Sequence, residues 1–206
     1  MSAPVLAVHK GLTTARRLPA LGRQETISVM ELAALVLLGV AAAALSAFVK
    51  LNLEIPGHNI LRVVFPLALG LALVPRVGSA TIMGVSGMAG ASLFLLFGAR
   101  NLGLGAATSL ALTGILIDAA LLRARSGRSI YLRLALAGLA ANLAAFGIKA
   151  GSKLLTGGML EGLPLEIWLP KAVVTYSACG LLAGLVSAAV WFRAAAGTTD
   201  ENEISR

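Results

Sequence analysis

Six predominantly apolar runs, separated by short stretches rich in Gly, Pro or charge, dominate this chain. They extend over Ser28–Val49, Asn59–Val74, Ser79–Phe97, Leu104–Leu122, Leu132–Ala150 and Ala172–Phe192. The hydrocarbon core of a bilayer is crossed by about 20 consecutive apolar residues in a helix. Inside lipid the backbone must satisfy its own hydrogen bonds, so such runs fold as helices. The spacing therefore predicts an all-α, polytopic bundle of six transmembrane helices over residues 28–193. The second run is the shortest and contains Pro66, which a membrane helix tolerates when neighbours satisfy the backbone around it.

Composition removes the alternatives. Hydrophobic residues make up 58% of the 206 residues, charged residues only 13%, and mean hydropathy is +0.89. A soluble domain carries about twice that share of charge. Disorder requires low hydrophobicity, and Cys179 alone cannot form an internal disulfide. The net charge of +8 would point to nucleic acid in a soluble protein. Here the basic residues flank apolar runs, as membrane topology demands, and no nucleic-acid partner is expected.

Lys and Arg also predict orientation. With the N-terminus cytoplasmic, eleven of the seventeen lie inside and five outside, and Arg62 falls within the second span. The Arg123–Arg133 connection is the strongest inner anchor. The expected location is a cell (inner) membrane, multi-pass, with both termini cytoplasmic. Residues 1–27 read as a basic cytoplasmic segment and 194–206 as an acidic disordered tail. Ala44-Leu-Ser-Ala47 resembles a signal-cleavage site, but the run containing it is long enough to span and reads as an uncleaved helix.

Ionisable groups inside a membrane are costly and mark functional candidates. Arg62 lies about one turn into the second span, beside Glu54-Ile-Pro-Gly-His58-Asn59. His58, Asn59 and Arg62 would crowd the outer first turn, with Asn59 and Arg62 at i, i+3 spacing. An arginine fork and a helix N-terminus there can hold a polar solute. Equally, Arg62 can snorkel to headgroups or pair with Glu54. Glu31 and Asp118 either cap helices and pair with cytoplasmic arginines or form a proton or coupling-ion site. Lys149 is expected to snorkel. Asn142, in mid-span, is either interhelical glue or a ligand group. Residues Gly151–Pro170 read as a long outer loop, with Trp168 at headgroup depth or closing over the bundle.

The third span contains Gly84-Val-Ser86-Gly87, which resembles the Gly-x-Ser-Gly signature of rhomboid intramembrane proteases. No histidine follows His58, so Ser86 has no base of the kind that family uses. Small residues at these spacings let helices approach closely. There is no phosphate-binding loop, metal-ligand spacing or paired carboxylate site. Hence no enzyme activity, cofactor or metal is expected.

The whole pattern resembles the substrate-binding S component of an energy-coupling factor (ECF) transporter. The features are six spans with both ends inside, the small-residue stripe Gly39/Ala43/Ala47 on the first helix, and the outer loop Asn52-Leu-Glu-Ile-Pro-Gly-His58. To these add Leu69–Gly78, the fourth-span ending Thr113-Gly-Ile-Leu-Ile-Asp118, and Gly180-Leu-Leu-Ala-Gly184. The resemblance implies capture of a small, vitamin-like solute from the outer face. It implies as partners a transmembrane coupling subunit and cytoplasmic ATPases, the first docking on Gly39, Ala43 and Ala47. Candidate solute-binding residues are Glu54, His58, Asn59, Arg62, Asn142 and Trp168. The alternative is a structural or assembly membrane protein without a solute.

Overall fold

The computed structural model describes residues 27–49, 55–98, 103–122, 127–155 and 165–193. Among them the fold is all-helical. The α-helices are α1 (Val29–Phe48), α2 (Leu61–Leu73), α3 (Ser79–Leu96), α4 (Gly103–Leu121), α5 (Gly127–Leu155) and α6 (Leu165–Arg193). A 3-10 turn, His58–Ile60, leads into α2. Every helix except α2 is long and apolar enough to cross a membrane. Val85, Leu132, Val174 and Leu182 each expose more than half of their surface in the body of their helices. Water would penalise that surface, whereas lipid would not.

The helices pack as a closed ring in the order α1, α3, α4, α5, α6, α2, and α2 also leans on α3 and α4. Helix α2 is accordingly the most enclosed. Val63, Val64, Leu67, Ala68, Leu71 and Ala72 are all buried, which is how a short helix holds its place. Pro66 cannot donate to the Arg62 carbonyl. At this weakened turn the Trp191 indole N–H donates to the Phe65 carbonyl (3.1 Å), and the two rings pack 4.9 Å apart.

Glycine and alanine set the helix separations. At the α5–α6 crossing, a Cβ on Gly180 would lie 2.6 Å from the Gly138 carbonyl oxygen. At α3–α4, a Cβ on Gly84 would lie 2.9 Å from the Leu110 carbonyl. At α1–α3, a Cβ on Gly39 would strike the Met83 carbonyl and Ser86 Oγ, while one on Gly87 would lie 2.9 Å from the Gly39 carbonyl. Only small residues admit backbones this close, and dispersion between them holds helices together where lipid removes the hydrophobic drive.

The end of the bundle at which α1 begins is tied by caps. Ser28 and Glu31 form a capping box on α1, and Arg76 Nη2 donates to Glu31 Oε1 at 3.1 Å. Helix α3 begins after Gly78, which has no side chain to cap it. Asp118 of α4 supplies the cap. It accepts from the Thr81 N–H (2.8 Å), the Thr81 hydroxyl (2.6 Å) and the Ala80 N–H (3.3 Å). Arg133 in turn donates to the Ala120 carbonyl at the end of α4. Glu31 and Asp118 are thus engaged as helix caps, the first with an arginine partner as well.

One expectation is corrected. The stretch Gly151–Pro170 is not one long loop, because α5 runs on to Leu155 and α6 starts at Leu165; only residues 156–164 lie outside the described residues. Polar residues such as Ser152 and Lys153 end the apolar run but not the helix. Each of α5 and α6 is about 43 Å long at 1.5 Å per residue, well beyond the hydrocarbon thickness.

Candidate functional site

The length mismatch between α2 and its neighbours creates the site. Asn142 Nδ2 donates to the Gly57 carbonyl (3.1 Å) and the Tyr176 carbonyl (2.7 Å), fixing the turn before α2 against α5 and α6. Gly57 has φ 88° and presses so close that a Cβ would meet the Tyr176 ring at 2.9 Å and Asn142 Nδ2 at 3.0 Å, so both conformation and space require glycine. From Asn142, α5 continues to Leu155, about 20 Å. From Tyr176, α6 extends back to Leu165, about 16 Å. The Gly57–Ile60 turn therefore forms a floor near mid-depth, overtopped by the two long helices.

Above this floor lies a cavity of about 320 Å3. Asn59 and Ile60 contribute to its base, the start of α4 from Gly103 to Ser109 one wall, and α5 the other. On α5 the lining residues Asn142, Ala145, Lys149, Ser152 and Lys153 recur at helical spacing on one face. A second cavity of about 270 Å3 adjoins it and is lined by Ile55–Asn59, Lys149 and Tyr176. Lys149 borders both. Its ammonium lies 5.7 Å from the centre of the Trp168 ring, a cation–π distance. Trp168 is buried and stacks on Phe146 at 5.6 Å, and Phe146 packs against Tyr176 at 5.0 Å. This aromatic cluster backs the α5–α6 wall. In the smaller cavity, His58 Nδ1 is 2.6 Å from the Ile55 carbonyl, and its buried Nε2 has no hydrogen-bond partner among the described residues.

The structure brings together His58, Asn59 and Asn142 at these cavities and separates them from Arg62 and Trp168. Arg62 lines neither cavity. It lies on the half-buried stripe Arg62, Phe65, Leu69, Leu73, the side of α2 on which Trp191 packs, and its Nε is buried without a hydrogen-bond partner among the described residues. Trp168 sits behind the wall in α6 rather than in a loop. Glu54 lies outside the described residues. Gly39 and Ala43 are buried within the ring, Gly39 against α3, and Ala47 is half-buried, so the first two are covered by this chain's own helices.

Sequence reasoning missed Ser109, Ser152, Lys153 and Tyr176, and expected Lys149 only to snorkel, whereas it lines both cavities. A signal existed in α5, where Asn142, Lys149, Ser152 and Lys153 share a face, but ending the span at Ala150 cut that stripe short. No protein-family profile, curated protein or solved structure matches the chain.

Proposed function

We propose that this protein is a membrane-embedded solute-binding subunit of the ECF S-component kind. In this reading all six helices cross the bilayer, with short α2 shielded by its neighbours. Both termini are cytoplasmic, so the cavity end faces outward. A small solute enters between α4, α5 and α6 and rests on the Gly57–Ile60 turn. The chain carries no phosphate-binding loop, so uphill import requires the coupling subunit and ATPases. Gly39 and Ala43 are buried internally, so a coupling subunit would dock on other surfaces.

The observation that carries this reading is the cavity of about 320 Å3 with polar groups at mid-depth in an otherwise apolar bundle. Polar groups facing a cavity inside a membrane protein are costly unless used. Mass spectrometry of the full chain purified in detergent tests it. The wild type is expected to release one small molecule on denaturation, and Ala106→Phe, which projects into the cavity, to release none. Equal yields from both, or no bound molecule from the wild type, would overturn the reading.

A further inference from the structure

We infer that the larger cavity recognises a neutral solute through a hydrogen-bond acceptor: its occupant donates an N–H or O–H to Oδ1 of Asn142, with the Ser109 hydroxyl as its second contact. The inference rests on the solute-binding reading and deepens it by naming the chemistry of the occupant.

Asn142 is only 2% exposed and lines the cavity from α5. Its amide nitrogen is fully engaged, donating to the Gly57 carbonyl at 3.1 Å and the Tyr176 carbonyl at 2.7 Å. These bonds also fix which way round the amide lies. Turned over, Oδ1 would face two carbonyl oxygens, neither of which has a proton to give. Oδ1 itself accepts no hydrogen bond among the described residues. It keeps open surface, whereas His58 Nε2 and Thr113 Oγ1 are sealed. The open space that Asn142 borders is the cavity.

Ser109, on the facing wall in α4, offers the same kind of group. It is 6% exposed, and its hydroxyl has no partner among the described residues yet keeps open surface beside the cavity. Most of the other polar lining is already engaged. Lys149, Ser152, Lys153 and Tyr176 all have partners inside the protein, and the Ser152 hydroxyl donates to the Lys149 carbonyl at 2.9 Å. Apart from the exposed Asn59, the groups left for an occupant are an amide oxygen and a hydroxyl, both uncharged. An ion held by these two alone would lose its hydration to neutral groups, whereas a neutral donor exchanges a bond to water for a bond to protein.

The tether that holds the floor of the cavity also prepares the acceptor. Linked hydrogen bonds polarise one another, so an amide donating twice accepts more strongly at its oxygen. The amide is already immobile, and little freedom is lost when the occupant binds. A solute of the same shape without the donor would dry Oδ1 and leave it unpaired, which is how such sites discriminate. About 320 Å3 equals the liquid volume of roughly ten waters, which fits a small ring bearing an amide, urea or imide N–H, or a small polyol.

Isomeric probes test this before the natural occupant is known. Full-length protein carrying Cys179→Ala and a single introduced cysteine, Ala106→Cys, is placed in phosphatidylcholine nanodiscs. Its modification by neutral methyl methanethiosulfonate is timed. The probes are ethyleneurea and uracil, each dimethylated on ring carbon, which keeps both N–H groups, and the same rings dimethylated on nitrogen, which removes them. Within each ring the two forms are isomers of equal charge and atom count. An N–H form is expected to slow modification at millimolar concentration, and its N-methylated isomer to need about tenfold more, as leaving a buried acceptor unpaired demands. Ser109→Ala should raise the concentration of the N–H form needed by about fivefold. Asn142→Leu should erase the preference between isomers. Because that variant also loses the tether, the isomer comparison with Asn142 intact carries the test.

Equal or stronger protection by the N-methylated isomers would overturn the acceptor site and leave the cavity standing. So would protection by acetate or inorganic phosphate exceeding that of the N–H forms, or no protection by any probe. No modification at Ala106→Cys or, independently, at Ser109→Cys would remove the cavity and, with it, the solute-binding reading.

Discussion

Replacing Asp118 by alanine tests the account of how α3 is held. The carboxylate accepts two short bonds from Thr81 and a longer one from the Ala80 N–H. A hydrogen bond to a charged group contributes about 1.5–3 kcal/mol, so the two short bonds together give roughly 3–6 kcal/mol. Removing the charge also recovers its burial cost, because Asp118 exposes only 6% of its surface. The truncation still leaves donors at the start of α3 without an acceptor, each costing about 1–3 kcal/mol. A net loss of about 3 kcal/mol follows, larger than for removing an ordinary N-cap. The measurement is reversible unfolding in mixed micelles with increasing SDS, followed by the fluorescence of Trp168 and Trp191. Thr81→Ala should cost about 1 kcal/mol alone and almost nothing in the Asp118→Ala background, since the hydroxyl has then lost its acceptor. If Asp118→Ala unfolds within 0.5 kcal/mol of wild type (a margin of about 0.5 is what additive, uncoupled sites show), the capping account fails and a role in ion coupling gains ground.

Two further perturbations probe the packing and the floor of the cavity. Gly138→Leu should drive α5 from α6 and lower thermal stability sharply, whereas Gly147→Leu, on the same helix but with open space where its Cβ would lie, should melt close to wild type by scanning fluorimetry. Asn142→Ala removes the donors to Gly57 and Tyr176; a loss of about 2–3 kcal/mol is expected in the SDS assay, since two carbonyls each lose a donor, together with faster modification of a cysteine at Ser109.

Much of this bundle is legible in the sequence because lipid imposes a coarse rule. An apolar run between polar punctuation becomes a helix, and the run Ser79–Phe97 maps almost residue for residue onto α3. The cavity-side ends of α5 and α6 are not legible that way. Hydropathy reports where lipid stops, while helical hydrogen bonding propagates through Ser152 and Lys153 regardless. The partners of Asp118 are equally invisible, since they depend on α4 lying beside the start of α3. Arg62 shows the limit of local spacing. Proximity to His58 in the chain grouped them, but α2 is enclosed on the cavity side by Val63, Val64 and Leu67, and only the preceding turn reaches the open space. Asn142 was legible as interhelical glue or a ligand group, and in the structure one amide both ties the helices together and borders the cavity.

The sunken position of the Gly57–Ile60 turn has an electrical consequence. In the proposed orientation, with a water-filled recess, the field falls across the protein beneath the turn rather than along the recess, so a charge resting there has crossed little of the membrane potential. One elementary charge moved through 100 mV involves about 2.3 kcal/mol. Even a monoanion settling on the turn therefore avoids most of that cost, which falls instead on the step that carries it through the protein layer beneath. Capture of a charged occupant in such a recess would be nearly independent of voltage, and release to the other side would carry the voltage dependence.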